Sequence, residues 1–165
     1  MSENTTKRIL IVSDTHRQND NFFRLLDMYE PFDLVIHCGD VEGSEYAISE
    51  SVGCPVRMVA GNNDFFSELP REQEFMLGSY KVWLTHGHSY YVSMGNETIC
   101  KEAAGRDVDI VMYGHSHKPV VEITDDVIAV NPGSLTYPRQ EGRRPSYIIM
   151  ELDEDGEAQF AIHYL

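Results

Sequence analysis

Seven side chains of metal-ligand type follow short apolar runs of this sequence, and they are the first indication of its chemistry. Two are carboxylates, one is an amide and four are imidazoles: Asp14, Asp40, Asn62, His16, His86, His115 and His117. Nitrogen and oxygen donors without a thiolate suit Mn²⁺, Fe and Zn²⁺. Because two such cations held side by side can activate a water for attack on phosphorus, the set predicts a hydrolytic centre with two divalent cations.

Each candidate ligand comes after an apolar run that is typical of a buried strand. The runs are 9–12, 34–36, 58–60, 82–84 and 110–113, and a sixth run, 128–130, precedes the segment 131–134. In open α/β sheets ligands bind beyond the carboxyl ends of the strands, so residues at these ends converge in space although they are far apart in sequence. A single Gly-Asp after a strand is usually a turn, and Asp-x-His alone is a weak signal. The conjunction of five such ends carries the prediction.

The patterns around these runs predict helices between parallel strands in the first third of the chain. Phe22, Leu25, Leu26 and Tyr29 lie at the spacing of one helix face. We expect shorter helices at 44–51, with Ala47 and Ile48 facing inward, and at 96–104.

The rest of the chain predicts more strands than one wound sheet needs. The turn Gly78-Ser79 indicates a β-hairpin. Its strands are 72–77 and 80–85, and further strands are expected at 109–113, 120–123, 127–130, 146–152 and 158–165. The expected fold is therefore a four-layer αββα sandwich of two mixed β-sheets flanked by helices.

Length, charge and cysteines limit the class of protein. The 165 residues fit a single domain, residues 1–165. The 27 acidic against 13 basic residues give a formal charge of -14, which would repel a polyphosphate backbone, so we expect no long nucleic acid as partner. The three cysteines form no CxxC pair, and no apolar run is long enough for a signal peptide or a membrane span. We therefore expect a soluble cytoplasmic protein with no membrane partner.

Taken in chain order, the motifs resemble those of the calcineurin-like metallophosphoesterase family. They are Asp14-Thr15-His16, Gly39-Asp40, Gly61-Asn62-Asn63-Asp64, Thr85-His86-Gly87-His88 and Gly114-His115-Ser116-His117. The short chain and the later Asn131-Pro132-Gly133-Ser134 are similar to its small bacterial and archaeal phosphodiesterase branch. The resemblance implies the αββα fold and two divalent cations, manganese first, with iron, zinc, nickel or cobalt as alternatives.

The resemblance also implies which residues hold each cation. Asp14, His16, Asp40 and His117 would hold the first, and Asp40, Asn62, His86 and His115 the second, with Asp40 as the bridge. A hydroxide bridging the two cations would then attack the phosphorus of a small phosphodiester, and no protein nucleophile would be needed.

One position departs from the commoner family motif, which has His where this chain has Asn63. An amide donates a hydrogen bond but has no proton to give near pH 7, so general-acid help, worth about 10²- to 10⁴-fold, is missing or comes from elsewhere. The candidate catalytic residues are Asn63, Asp64 of the same motif and His88, which fits a structural turn role equally well. We expect aryl phosphodiesters to be hydrolysed faster than alkyl monoesters.

Other functions stay open at this point. Within the enzyme class they are a phosphomonoesterase, a cyclic-nucleotide phosphodiesterase, a nuclease and a protein phosphatase. The acidic charge argues against the nuclease, and the absence of His at position 63 argues against the protein phosphatase. A second class is a binding module, because a scaffold subunit of the retromer complex is similar to this branch. That subunit has lost part of the ligand set, whereas every position is filled here. A homo-oligomer is a further expectation from the resemblance.

Overall fold

The computed structural model of the chain describes residues 6–165, and these residues form two five-stranded β-sheets and three α-helices. The strands are β1 (Lys7–Val12), β2 (Leu34–His37), β3 (Val56–Met58), β4 (Glu72–Leu77), β5 (Tyr80–Thr85), β6 (Ile110–Met112), β7 (Pro119–Ile123), β8 (Ile128–Pro132), β9 (Ser146–Leu152) and β10 (Ala158–Tyr164). The helices are α1 (Asp20–Tyr29), α2 (Glu45–Ser51) and α3 (Glu97–Gly105), with 3₁₀ turns at His88–Tyr90 and Val92–Met94.

The first sheet has the strand order β10-β9-β1-β2-β3. Strands β1, β2 and β3 are parallel, and β9 and β10 pair antiparallel at the other side. Parallel neighbours need a crossover, which α1 and α2 provide. The carboxyl ends of β1, β2 and β3 therefore lie along one edge of the sheet.

The second sheet has the order β4-β5-β6-β8-β7. Its central strands β5, β6 and β8 are parallel, and each edge strand pairs antiparallel with its neighbour. The hairpin of β4 and β5 turns at Gly78, whose φ of 57° lies in the left-handed region that glycine adopts without steric cost. Both sheets are thus mixed, as predicted.

Side chains that alternate along a strand contact different layers of the fold. In β1, Ile9 and Ile11 enter the apolar core between the sheets, whereas Leu10 and Val12 face the helices. Successive side chains of a strand point to opposite faces, so a central strand that is apolar throughout is covered on both sides. The αββα sandwich is confirmed.

The outer helices cover the two sheets with their apolar faces. Phe22, Leu25 and Leu26 of α1 are buried against the first sheet, as their spacing predicts. In α2 only Ile48 is buried and Ala47 is exposed, so the prediction for Ala47 was wrong, because a helix of two turns presents one inward position here. The longest helix has ten residues, and none within residues 6–165 could cross a lipid bilayer.

Candidate metal centre

The predicted ligands lie in the loops that follow five strands, at the edge where the carboxyl ends of both sheets meet. The loops after β1, β2 and β3 carry Asp14 with His16, Asp40, and Asn62, and the loops after β5 and β6 carry His86, and His115 with His117. The first sheet therefore supplies the oxygen donors, and the second sheet supplies three of the four imidazoles.

Two groups of side chains each bring their donor atoms within 4.8 Å of one another. The first group is Asp14, His16 and His117, and the second is Asp40, His86 and His115. The division agrees with the two ligand sets that the family resemblance implies.

The donor atoms within a group are as far apart as the ligands of one cation. His117 Nε2 lies 3.2 Å from Asp14 Oδ1 and 3.3 Å from His16 Nε2. In the second group His86 Nε2 lies 3.3 Å from Asp40 Oδ2. Two ligands ~2.1 Å from a cation, at 90° to 110° to each other, are separated by ~3.0 to ~3.4 Å. These three distances fit this range, and the remaining separation in the first group, 3.7 Å between His16 Nε2 and Asp14 Oδ1, lies slightly beyond it.

Two polar atoms at the centre have no hydrogen-bond partner among the described residues. They are Asp14 Oδ1 and His86 Nε2, both buried and 3.7 Å apart. An unpartnered buried carboxylate oxygen is costly. Because a cation satisfies a carboxylate oxygen and an imidazole nitrogen together, the donor set fits divalent cations.

Asp40 lies between the two groups. Its Oδ2 atom is 3.3 Å from His86 Nε2 and 3.8 Å from His16 Nε2. Asn62 adjoins the second group, since its Oδ1 atom lies 3.0 Å from His115 Nδ1. Both positions are compatible with the bridging carboxylate and the amide ligand that the resemblance implies.

The backbone is left-handed at five of the seven predicted ligands. They are Asp14 (φ 55°), His16 (47°), Asp40 (61°), His115 (70°) and His117 (59°). A positive φ is uncommon outside glycine and costs of order 1–3 kcal/mol where the surroundings impose it. Such conformations concentrate at functional sites, and here they turn each side chain toward the centre directly after its strand ends.

Backbone carbonyls fix the tautomers of two imidazoles. His86 Nδ1 donates to the Cys38 carbonyl at 2.7 Å, and His117 Nδ1 donates to the Tyr137 carbonyl at 2.6 Å. A carbonyl oxygen can only accept, so Nε2 of each ring carries the lone pair that a cation needs. Both Nε2 atoms face the centre.

The sequence model of the calcineurin-like phosphoesterase superfamily domain matches residues 8–155. The chain belongs to this superfamily. A probable metallophosphoesterase of Bacillus subtilis (strain 168) is 32% identical over 148 residues, which are 89% of this chain and 85% of that protein. A phosphodiesterase of Methanocaldococcus jannaschii is 30% identical over 145 residues, 76% of this chain and 82% of that protein.

Proteins with other names are similar as well. A predicted phosphoesterase from Streptococcus pneumoniae TIGR4 has the same fold with a TM-score of 0.77 and 27% identity, covering 96% of this chain and 99% of that chain. Vacuolar protein sorting-associated protein 29 of Schizosaccharomyces pombe is 27% identical over 157 residues, 87% of this chain and 84% of that protein. The superfamily implies divalent metal ions.

The charges of this calcineurin-like centre are strongly coupled. Burial lowers the pKa of His86, but Asp14 and Asp40 raise it to about 9. Burial raises the pKa of Asp14, and the facing His86, His117 and His16 hold it well below its usual range. These shifts express the attraction between the buried carboxylates and the imidazoles, and a bound cation would take the place of any proton on His86 Nε2.

Asp64 binds the backbone of two ligand loops. Its carboxylate accepts N–H groups from Asp40 at 2.8 Å, from Glu42 at 2.7 Å and from Gly61 at 2.7 Å. Three hydrogen bonds to one carboxylate fix the loop after β2 against the loop after β3. Asp64 is therefore placed to position Asp40 and Asn62.

The structure places Asn63 on Asp40 as well. Asn63 Nδ2 donates to Asp40 Oδ2 at 3.0 Å, and its backbone N–H donates to Asp40 Oδ1 at 2.9 Å. Both hydrogen bonds direct the Asp40 carboxylate toward the two groups. The Asn63 amide thus contacts Asp40, one of the predicted ligands.

His88 lies beside the second group. Its ring centroid is 5.5 Å from that of His86 and 6.1 Å from that of His115. Its Nδ1 atom is buried without a hydrogen-bond partner among the described residues. Burial and the neighbouring His86 lower the pKa of His88.

Two neighbours of His16 were missed by the sequence reasoning. Glu42 Oε2 lies 3.4 Å from His16 Nδ1, and the Tyr137 ring meets the His16 ring edge-on with the centroids 5.3 Å apart. Glu42 had a signal, because it stands two residues after Asp40, as His16 does after Asp14. Tyr137 had none, since the loop between β8 and β9 gives no periodic pattern.

Proposed function

We propose that the protein is a divalent-metal-dependent phosphodiesterase that hydrolyses small phosphodiesters. The single observation that carries this proposal is the pair of donor groups around the unpartnered atoms Asp14 Oδ1 and His86 Nε2. The similarity to a phosphodiesterase of M. jannaschii supports the reaction class. Superfamily membership supports the use of metal.

The seven predicted ligands would hold the cations, with Asp40 shared between them. When bound, two divalent cations supply an activated water and polarise the phosphoryl oxygens. The chain's own residues set the geometry of that chemistry. Asn63 and Asp64 orient Asp40, and the carbonyls of Cys38 and Tyr137 hold the imidazoles of His86 and His117 in the ligating tautomer.

The choice of a diester over a monoester follows from the charges and from Asn63. A diester brings one negative charge to a chain of formal charge -14, and a monoester brings up to two. Asn63 has no proton to give, so substrates with good leaving groups are favoured. We propose His88, beside the second group, as the side chain that contacts the leaving oxygen.

The test compares two Asp→Asn substitutions that share a backbone conformation. Asp40 (φ 61°) and Asp107 (φ 55°) are both left-handed, a conformation that Asn also tolerates, but Asp107 is exposed beyond α3. Each protein is stripped with a chelator, reloaded with Mn²⁺ and assayed with bis(p-nitrophenyl) phosphate, and bound metal is measured by mass spectrometry.

We expect Asp40→Asn to lose metal and to lose activity by ~100-fold or more, and Asp107→Asn to keep both. Turnover that survives in Asp40→Asn would overturn the assignment of this centre. If the unsubstituted protein shows no turnover with manganese, iron, zinc, nickel or cobalt, the proposed phosphodiesterase activity is wrong.

A second candidate function is a binding module, favoured by the similarity to vacuolar protein sorting-associated protein 29 of S. pombe. It differs from the enzyme in one measurable respect. A module would bind cations without turning over any phosphoester, so the metal measurement and the rate measurement separate the two. Cytoplasmic location and self-association stay predictions.

A further inference from the structure

A cavity of about 810 Å³ borders the candidate metal centre on one side. Its lining includes Arg17, which follows His16 in the sequence. It also includes Asn63, whose Nδ2 atom donates a hydrogen bond to Asp40 Oδ2 at 3.0 Å. Glu42 also lines it and lies 3.4 Å from His16 Nδ1. A phosphodiester at the centre therefore has room for one substituent in this cavity.

Two adjacent phenylalanines form an aromatic wall of the cavity. The exposed fractions are 79% for Phe65 and 101% for Phe66. Single exposed apolar residues are ordinary, but two neighbouring aromatic rings left open to water beside a polar centre indicate a surface that a ligand covers.

The loop that presents these rings is anchored at both ends. Asp64 binds three backbone N–H groups on the near side. On the far side the Ser67 hydroxyl donates to Glu45 Oε1 at 3.2 Å and accepts the Leu69 N–H at 3.0 Å. The backbone that carries the rings is thus anchored on both sides of them.

The charges of the cavity exclude a second phosphate. Glu42, Glu45 and Glu68 line it, and Arg17 is the basic residue among its lining. The Arg17 Nε group already donates to the Glu42 carbonyl at 2.9 Å. An acidic cavity repels nucleoside polyphosphates and accepts an uncharged group.

We propose that this cavity binds an uncharged planar aromatic substituent of the phosphodiester, a nucleobase or an aryl group, stacked on Phe65 and Phe66. The inference rests on the proposed function and names the substrate class of the same centre. Stacking on aromatic rings tolerates any planar ring, because each has a π face. The acidic side chains that line the cavity can accept hydrogen bonds from the N–H groups of a base.

The experiment keeps the leaving group constant and changes the other substituent. The substrates are the p-nitrophenyl esters of ethyl phosphate, phenyl phosphate and thymidine 5′-phosphate, all of which release p-nitrophenol. The variants are Phe65→Ala, Phe66→Ala and the double variant, with Phe65→Trp as the conservative change. The control is Phe23→Ala, which removes a 38% exposed ring from α1.

We expect the unsubstituted protein to prefer the phenyl and thymidine esters over the ethyl ester in kcat/KM by about 5-fold or more. The double variant should lose this preference, and Phe65→Trp and Phe23→Ala should keep it. A preference for the thymidine ester alone assigns the cavity to a nucleobase, and equal preference assigns it to any aryl group.

The outcomes distinguish this inference from the function on which it rests. If all three esters are hydrolysed at one rate, the aromatic subsite is wrong and the proposed phosphodiesterase activity is retained. If no ester is hydrolysed, both proposals are wrong. Titration calorimetry gives a readout independent of turnover, in which phenylphosphonate should bind more tightly than methylphosphonate to the unsubstituted protein but not to the double variant. If the double variant instead dissociates an oligomer and leaves the ester ratios unchanged, the rings are a contact between copies and the proposal is wrong.

Discussion

His37 should make the protein unstable in acid, and its surroundings set the size of the effect. The ring is completely buried at the end of β2. The Gly39 N–H donates to His37 Nδ1 at 3.1 Å, so the proton of the neutral ring is on Nε2, which donates to Thr15 Oγ1 at 3.0 Å. Burial lowers the pKa of His37 to about 4. A second proton would also break the bond from Gly39.

The direction and size of the pH effect follow from the difference between the pKa of His37 in the folded protein and that in the unfolded chain. Above pH 6.5 the ring is neutral in both states and contributes no pH dependence. Between pH 6.5 and pH 4, His37 binds a proton in the unfolded chain but not in the folded protein. The free energy of unfolding therefore falls as the pH falls. Since one pKa unit corresponds to about 1.4 kcal/mol, the loss reaches roughly 3 kcal/mol near pH 4.

The assay is urea unfolding of the chelated protein at a series of pH values from 7.5 to 4. His37→Asn keeps an acceptor near the Gly39 N–H but cannot titrate, and His163→Asn removes a histidine from the edge strand β10 as a control. We expect the curves of the unsubstituted protein and of His163→Asn to fall more steeply than that of His37→Asn, by roughly 3 kcal/mol over this range. Parallel curves for all three proteins would refute the reasoning.

Three other substitutions have defined outcomes. Asn63→His should raise turnover of alkyl relative to aryl esters by up to ~100-fold, because a proton donor is restored; an unchanged ratio contradicts this. Gly114→Ala would bring a Cβ within 2.7 Å of Asp14 Oδ2. We therefore expect the Mn²⁺ affinity, measured by calorimetry, to fall ~10-fold or more. The control Gly105→Ala, which has open space around it, should leave the Mn²⁺ affinity unchanged. Asp64→Asn should lower the urea-unfolding free energy by ~2 kcal/mol, since an acceptor of backbone N–H bonds is lost; no loss would refute its positioning role.

The ends of the central strands were predictable from the sequence because burial on both faces leaves continuous apolar runs, and the turn at Gly78-Ser79 indicated the hairpin. The hairpin strands β4 and β5 and the strand β9 have the bounds that the sequence predicts. Apolar runs that stop at metal-type side chains also indicated which residues meet. Loop conformation was beyond this kind of pattern: no spacing shows that Asn63 turns onto Asp40, or that five ligands adopt a positive φ.

The division of the donors between two sheets links ion binding to the rigidity of the whole sandwich. The loop 59–71 and the loop 133–145 are the connections through which the chain passes from one sheet to the other within residues 6–165. Cations coordinated by residues of both sheets would add a third connection between the sheets, at the edge where the predicted ligands lie. Amide hydrogen exchange at the ends of β1 and β6 should therefore slow together when manganese is added, although these strands belong to different sheets.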